Sequence, residues 1–207
     1  MAARVYDMRR RATAVDASRA QALSAAYELL AGPACHELSL DAVARAVGVT
    51  RATLYNQFGS RNALLVAIFQ DLGRRMKAER IYAAMRLPEP EQSLYATFRE
   101  STRAYARHQR VIRKLFALAT LDRELGVEVE RSERKRRQSL AHLAARLVAS
   151  GGTCLDVAAA TALLAALTSF QVFEALAFDN GPSLTERRLI ELVRAGLGVS
   201  EKKGSGK

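Results

Sequence analysis

Residues 39–65 read SLDAVARAVGVTRATLYNQFGSRNALL, and the reading of this stretch decides the fold. Ser39 and Thr50 are N-cap residue types, each standing before a short run with one apolar face. Leu40, Val43, Ala44 and Val47 share that face in the first run. Gly48 lies between the runs, where a tight turn joining two steeply crossing helices demands a positive φ. Val43, Val47, Val49, Leu54 and Phe58 are the expected shared core, with Ala44 small at the closest approach. Arg51, Ala52, Thr53, Tyr55, Asn56 and Gln57 are left outward on the second helix. That face is polar, rich in hydrogen-bonding groups and nearly free of acid, which suits a helix lying in a DNA major groove.

Working outward, Asp16 offers an N-cap to a helix over 16–31, with Ala22, Leu23, Ala26, Leu29 and Leu30 at helical period and Gly32-Pro33 ending it. Upstream, Arg4, Arg9, Arg10 and Arg11 predict a basic, flexible arm over 1–15, suited to phosphates or a minor groove. Downstream, Ser60 caps a long helix striped by Leu64, Leu65, Ile68, Leu72 and Met76, bounded by Pro88 and Pro90. Further helices are expected near 91–107, 110–121, 124–150, 156–178 and 183–197, for about nine in all. The expected organisation is an all-α chain. It has a helix-turn-helix domain over 16–60, a helical regulatory and dimerisation domain over 61–198, and a disordered tail, EKKGSGK, within 199–207.

Composition agrees. Nearly half of the 207 residues are hydrophobic, Trp is absent and only four prolines interrupt the Ala, Leu, Arg and Glu that recur. The formal net charge of +11 favours a polyanionic partner. Cys35 and Cys154 are distant and lack metal-ligand spacing, and His36, His108 and His142 are isolated from one another. No metal, cofactor or catalytic motif is indicated, so the chain is read as a non-enzyme. No signal-like h-region and no uncharged apolar run of membrane length stands out, and a cytoplasmic location is expected. The basic run over 131–137 reads as a solvated helix face, with Glu130 and Arg134 in the favourable i,i+4 order.

The order Ser-x-x-x-Val-Ala, then Ala-Val-Gly-Val-Thr-x-Ala-Thr-Leu-Tyr-x-x-Phe, then Ser-Arg-x-x-Leu-Leu resembles the tetracycline-repressor (TetR) family of bacterial regulators, specifically across residues 17–70. The resemblance implies that Arg51, Ala52 and Asn56 face base edges while Thr53, Tyr55, Gln57 and Arg61 hold phosphates. The chemistry is consistent: Arg pairs bidentately with guanine and Asn with adenine, whereas hydroxyls grip phosphate without reading sequence. The helix N-termini at Ser39 and Thr50 favour phosphate as well. Three positions depart from the family pattern. Ala34-Cys35 stands where a glycine-aromatic pair is frequent, Gln57 where a histidine is common, and Asp41 where some members carry a base.

The helix expected over 156–178 is apolar nearly all round, and such a helix needs partners on more than one side. Leu163, Leu167, Phe170 and Phe173, with Leu189 and Val193 of the last helix, are the expected half of an intersubunit four-helix bundle in a homodimer, as the resemblance also implies. In a TetR-like chain the middle helices enclose a pocket. Met76, Tyr82, Met85, Phe98, Tyr105 and Phe116 are its candidate lining, for a mainly apolar effector. The expected function is a sequence-specific, ligand-responsive repressor on a pseudo-palindromic operator. The alternatives are a non-specific architectural DNA binder, and a helical small-molecule carrier or enzyme with incidental basic charge.

Overall fold

The computed structural model describes residues 2–33, 38–178 and 180–198, with side chains from residue 16 onward. The described residues form ten helices and no strand. In chain order these are α1 (Ala2–Ala31), α2 (Leu40–Val47), α3 (Arg51–Phe58), α4 (Arg61–Arg75), α5 (Ala78–Ala84), α6 (Pro90–Ala119), α7 (Arg123–Ala149), α8 (Val157–Leu167), α9 (Phe170–Ala177) and α10 (Pro182–Leu197).

Two compact units divide the chain, residues 1–72 with 113–129, and residues 73–112 with 130–207. The boundary expected after residue 60 therefore lies further on. The reason is apolar: Leu64, Leu65, Ile68 and Leu72 of α4 are all buried, and they belong to the first unit. Ala22, Leu23, Ala26 and Leu30 of α1, Val43 and Ala44 of α2, Leu54 and Phe58 of α3, and Leu115 and Leu125 complete its interior. Lys114 near the end of α6 closes the end of α1, its Nζ donating to the carbonyls of Leu30, at 2.8 Å, and Gly32. Those carbonyls are the orphan acceptors of a helix C-terminus, so a cation there satisfies both hydrogen bonding and the helix dipole.

The second unit is built around Met85, Leu94, Phe98, Leu140, Leu143, Leu147, Leu164, Leu189 and Val193, with Ile81, Tyr82, Leu163 and Leu167 packed against them. Arg146 of α7 reaches the carbonyls of Met85, Leu87 and Pro88, closing the segment after α5.

Four expectations about helices need correction. The backbone of residues 2–15 is helical and continuous with α1 rather than a flexible arm, as fits a run with no Gly or Pro and several good helix formers. The side chains of Arg9, Arg10 and Arg11 lie outside the described residues. The helix after Ser60 ends at Arg75, because Lys77 takes a left-handed conformation, φ 53° and ψ 49°, before α5. The segments expected near 91–107 and 110–121 are one helix, α6, since no breaker separates them. Conversely, 156–178 divides at Thr168-Ser169 with a bend of 49°. Ser169 is extended there and caps α9, its Oγ accepting from Val172 N at 3.3 Å. The carbonyls freed by the break find donors: Arg136 reaches Ala165 O at 3.2 Å and the Tyr105 hydroxyl reaches Thr168 O at 3.0 Å. Among the described residues no single helix is long and apolar enough to cross a membrane.

Candidate nucleic-acid interface

The helix pair α2–α3 is set by its caps. Ser39 Oγ accepts from Ala42 N at 3.1 Å and Thr50 Oγ1 from Thr53 N at 3.2 Å, each at an extended residue. Gly48 ends α2 in the left-handed region, φ 71° and ψ 31°, and Val49 N returns to Ala44 O at 3.0 Å. A side chain at Gly48 would meet no atom within 4 Å, so backbone conformation rather than space requires glycine. With that turn made, Leu54 and Phe58 point inward and are buried. Val43 and Ala44 join them, while Val47 and Val49 are half-buried.

What α3 leaves in solvent is Arg51, Ala52, Tyr55 and Asn56, with Thr53 half-buried beside them. Tyr55 is 59% exposed, unusual for so large a ring. Thr50 and Thr53 hydroxyls lie 2.9 Å apart at the helix start, where free N–H groups also face outward. Among the described residues, the acid paired with this face is Asp41, at 3.6 Å from Arg51, both side chains well exposed. Asp41 thus offsets part of the Arg51 charge as well as sitting in the first turn of α2.

Two of the expected phosphate ligands also hold partners inside the protein. Gln57 shares the Leu54–Phe58 side of α3, and its Nε2 donates to Ser18 Oγ of α1 at 3.1 Å. Its Oε1 is buried without a hydrogen-bond partner among the described residues. The Gln57 carbonyl accepts from Arg19 at 2.6 Å, and the same guanidinium lies 4.3 Å above the Phe58 ring. The geometry makes Gln57 a clasp between α3 and α1 in place of the phosphate ligand expected there. Arg61 likewise donates from Nε to Leu38 O at 2.9 Å, bracing the segment before α2. Sequence reasoning missed Arg19, although it precedes Ala22 and Leu23 by one turn on the buried stripe of α1.

The expected ligand lining fares differently. Met85 and Phe98 are buried in the second unit's core, and Phe116 belongs to the first unit. Tyr105 stacks edge-on against Phe170, with centroids 5.6 Å apart. Burial pushes its phenol up to about 12, only partly opposed by the Arg136 charge, so it serves as a neutral donor. Close packing thus takes Met85 and Phe98 into the core, while Tyr82, Tyr105 and Phe116 are half-buried. Of the set, Met76 lines a cleft of about 490 Å³, half of whose other residues are cationic.

The expected dimer residues divide too. Phe170, Phe173, Leu189 and Val193 are at most 4% exposed within one protomer, so their burial needs no partner. Leu163 and Leu167 are half-buried, and a side chain at Gly196 would overlap Leu163 at 2.8 Å, which marks how closely α10 meets α8. The outward faces of this pair carry other residues: Val157, Ala158, Ala159, Ala162 and Ala166 on α8, and Leu184, Leu192 and Ala195 on α10.

An all-helical chain with capped crossing helices around a left-handed glycine, and an exposed acid-free face on the second, defines a helix-turn-helix DNA-binding protein. Residues 22–68 match the family model described as bacterial regulatory proteins, tetR family. The whole fold is similar to a TetR-like transcriptional regulator from a Rhodococcus species, with TM-score 0.67 and 22% identity over 88% of this chain and 96% of that one. It is similar as well to a TetR/AcrR-family regulator from Thermobifida fusca, with TM-score 0.67 and 24% identity over 92% and 99%. A third similar structure is a regulator from Saccharomonospora viridis in complex with choline, with TM-score 0.68 and 16% identity over 86% and 96%. No curated protein sequence matches significantly. Residues 22–68 are thus similar to the DNA-binding domain of tetR-family regulators, and the chain has the fold of the TetR-like regulators it resembles.

Proposed function

We propose that the protein is a cytoplasmic, non-enzymatic, sequence-specific repressor that binds a pseudo-palindromic operator as a homodimer and responds to a small-molecule effector. The observation carrying this reading is the exposed α3 face of Arg51, Ala52, Tyr55 and Asn56. Arg51 and Asn56 have the donor patterns that read guanine and adenine, and Ala52 suits a thymine methyl. Tyr55, Thr50 and Thr53 supply hydroxyls for phosphate, which fix register without reading bases. Gln57 is left out of the phosphate set because its amide already holds Ser18, whereas Arg61 stays in it, since only its Nε is engaged and the residue is exposed.

Dimerisation is supported by the apolar outer faces of α8 and α10, where Leu192 is 46% exposed and the alanines permit close helix approach. A two-fold dimer requires two half-sites on one side of the duplex. Effector response is supported by the choline-bound relative of the same fold. It is supported also by the path of α4, which starts two residues after α3 and reaches Arg75 in the second unit. An effector that favours one placement of α4 lowers DNA affinity by its own preference between the two states.

The test is selection of genomic fragments by purified protein at physiological salt. Enrichment of one pseudo-palindromic sequence supports the reading. Uniform recovery of all fragments refutes sequence-specific binding and leaves a salt-dependent grip on the backbone.

A further inference from the structure

The 490 Å³ cleft lies wholly in the second unit, between the α4–α5 corner, the middle of α6 and Pro182 at the start of α10. Its wall is strongly one-signed. Arg75, Lys77, Arg80, Arg103 and Arg107 line it, against one carboxylate, Glu100. That carboxylate already pairs with Arg103, at 3.3 Å across one helical turn. Among the described residues Lys77, Arg80 and Arg107 join no ion pair. Like charges gathered in a concavity repel one another and focus a positive potential there, which an anion relieves. Met76, Ala104, Ala106 and Pro182 give the same cleft an apolar side.

A second observation falls at the same place. Lys77 is the one described residue other than glycine with a positive φ. A long side chain adopts that conformation at a cost, and it persists where the surroundings dictate it, frequently at ligand clamps. The corner is braced from behind by His108, whose Nε2 lies 3.3 Å from the Arg75 carbonyl. Burial holds this imidazole below its ordinary range, despite that hydrogen bond and with the help of the Arg107 and Arg75 charges. The cleft's permanent cations therefore supply its positive charge.

We propose that this cleft binds a small organic anion, its carboxylate or phosphate gripped by Lys77, Arg80 and Arg107 and its carbon body lying on Met76, Ala104 and Pro182. Guanidinium groups suit this task because their planar donors match either oxyanion bidentately. The volume falls in the range of small-molecule sites. The assignment names the effector class of the regulator proposed above and rests on that reading for its biological role, while the binding itself is measured without DNA. It replaces the mainly apolar effector expected from the sequence.

The experiment is titration calorimetry on the full-length protein at low ionic strength, with octanoate, pyrophosphate and choline as probes. One or both anions bind saturably, one per chain, and choline does not. Octanoate alone identifies a carboxylate ligand and pyrophosphate alone a phosphate. Arg80→Gln and Arg107→Gln each weaken anion binding at least tenfold, whereas Arg99→Gln, exposed on α6 outside the cleft, leaves it unchanged. Absence of anion binding, an equal loss in Arg99→Gln, or equally tight choline binding overturns the proposal. So does a short duplex that competes with the anion for Arg80 and Arg107, since the patch is then a DNA contact. If fragment selection finds no operator while the anion binds, the regulator reading falls and the anion cleft stands. The reverse pair of results separates them the other way.

Discussion

Tyr55→Phe and Asn56→Ala together separate gripping DNA from reading it. Tyr55→Phe removes one hydroxyl from a ring that is 59% exposed and has no partner among the described residues. Asn56 is exposed and equally unpartnered among them. Folding stability should therefore change by less than about 0.5 kcal/mol in either variant. A hydrogen bond to a charged group contributes roughly 1.5–3 kcal/mol. A dimer losing one at each reading head loses about 3–6 kcal/mol, hence roughly a hundredfold to ten-thousandfold in affinity. Because phosphate is present in every sequence, Tyr55→Phe should weaken the selected operator and a scrambled duplex by the same factor. Asn56→Ala should cost about 1–3 kcal/mol per head on the operator alone, since bidentate adenine recognition is what it removes. Fluorescence anisotropy with both duplexes at one fixed salt concentration reads the two effects. Unchanged affinity in Tyr55→Phe refutes the phosphate role. An equal loss on both duplexes in Asn56→Ala refutes the base-reading role.

Four further outcomes are expected. Gly48→Ala forces a side chain to φ 71° with no steric clash, so urea denaturation should show a loss of about 1–2 kcal/mol from backbone conformation alone. Lys114→Met leaves the Leu30 and Gly32 carbonyls without their donor and should cost about 1–3 kcal/mol by the same measurement; an unchanged midpoint would show that water replaces the ammonium freely. Leu192→Glu places charge on the outer face of α10 and should shift the protein toward monomer in sedimentation velocity while leaving its helicity intact. For His108, whose folded pKa lies below the unfolded value near 6.5, the unfolded chain takes up the proton first. Its contribution to stability is therefore complete above about pH 6.5 and declines as pH falls below that. His108→Gln should flatten the difference in urea midpoint between about pH 7.5 and pH 5.5, and an identical difference in both proteins would exclude the imidazole as its source.

The helix pair α2–α3 was legible because its determinants are local. Ser39, Gly48 and Thr50 set two caps and a turn by their own conformational preferences, and Leu54 and Phe58 repeat at helical period, so α2 and α3 follow without distant partners. Gln57 was misread although its spacing from Leu54 and Phe58 placed it toward the buried side. Its polar character suggested solvent, and only the position of Ser18 and Arg19 on α1 reveals that the amide has a partner inside.

Farther along the chain local rules weaken. The break at Thr168-Ser169 carries no glycine or proline, and it is stabilised by Arg136 and Tyr105, from 32 and 63 residues away in the sequence. The kink at Lys77 runs against the residue's own preference. The apolar residues of α8 to α10 were expected at a subunit interface, yet periodicity says only that a face is covered and never by what. Tertiary packing decided it, turning Phe170, Phe173, Leu189 and Val193 into one protomer's core and leaving small residues and Leu192 outside. By itself the sequence determined the all-helical class, the caps and turn of the helix-turn-helix and the chemistry offered on α3, because these rest on interactions within a few residues. The tertiary structure decided which side chains are core, clasp or surface and brought five cations to one cleft, because such outcomes depend on groups that only folding brings together.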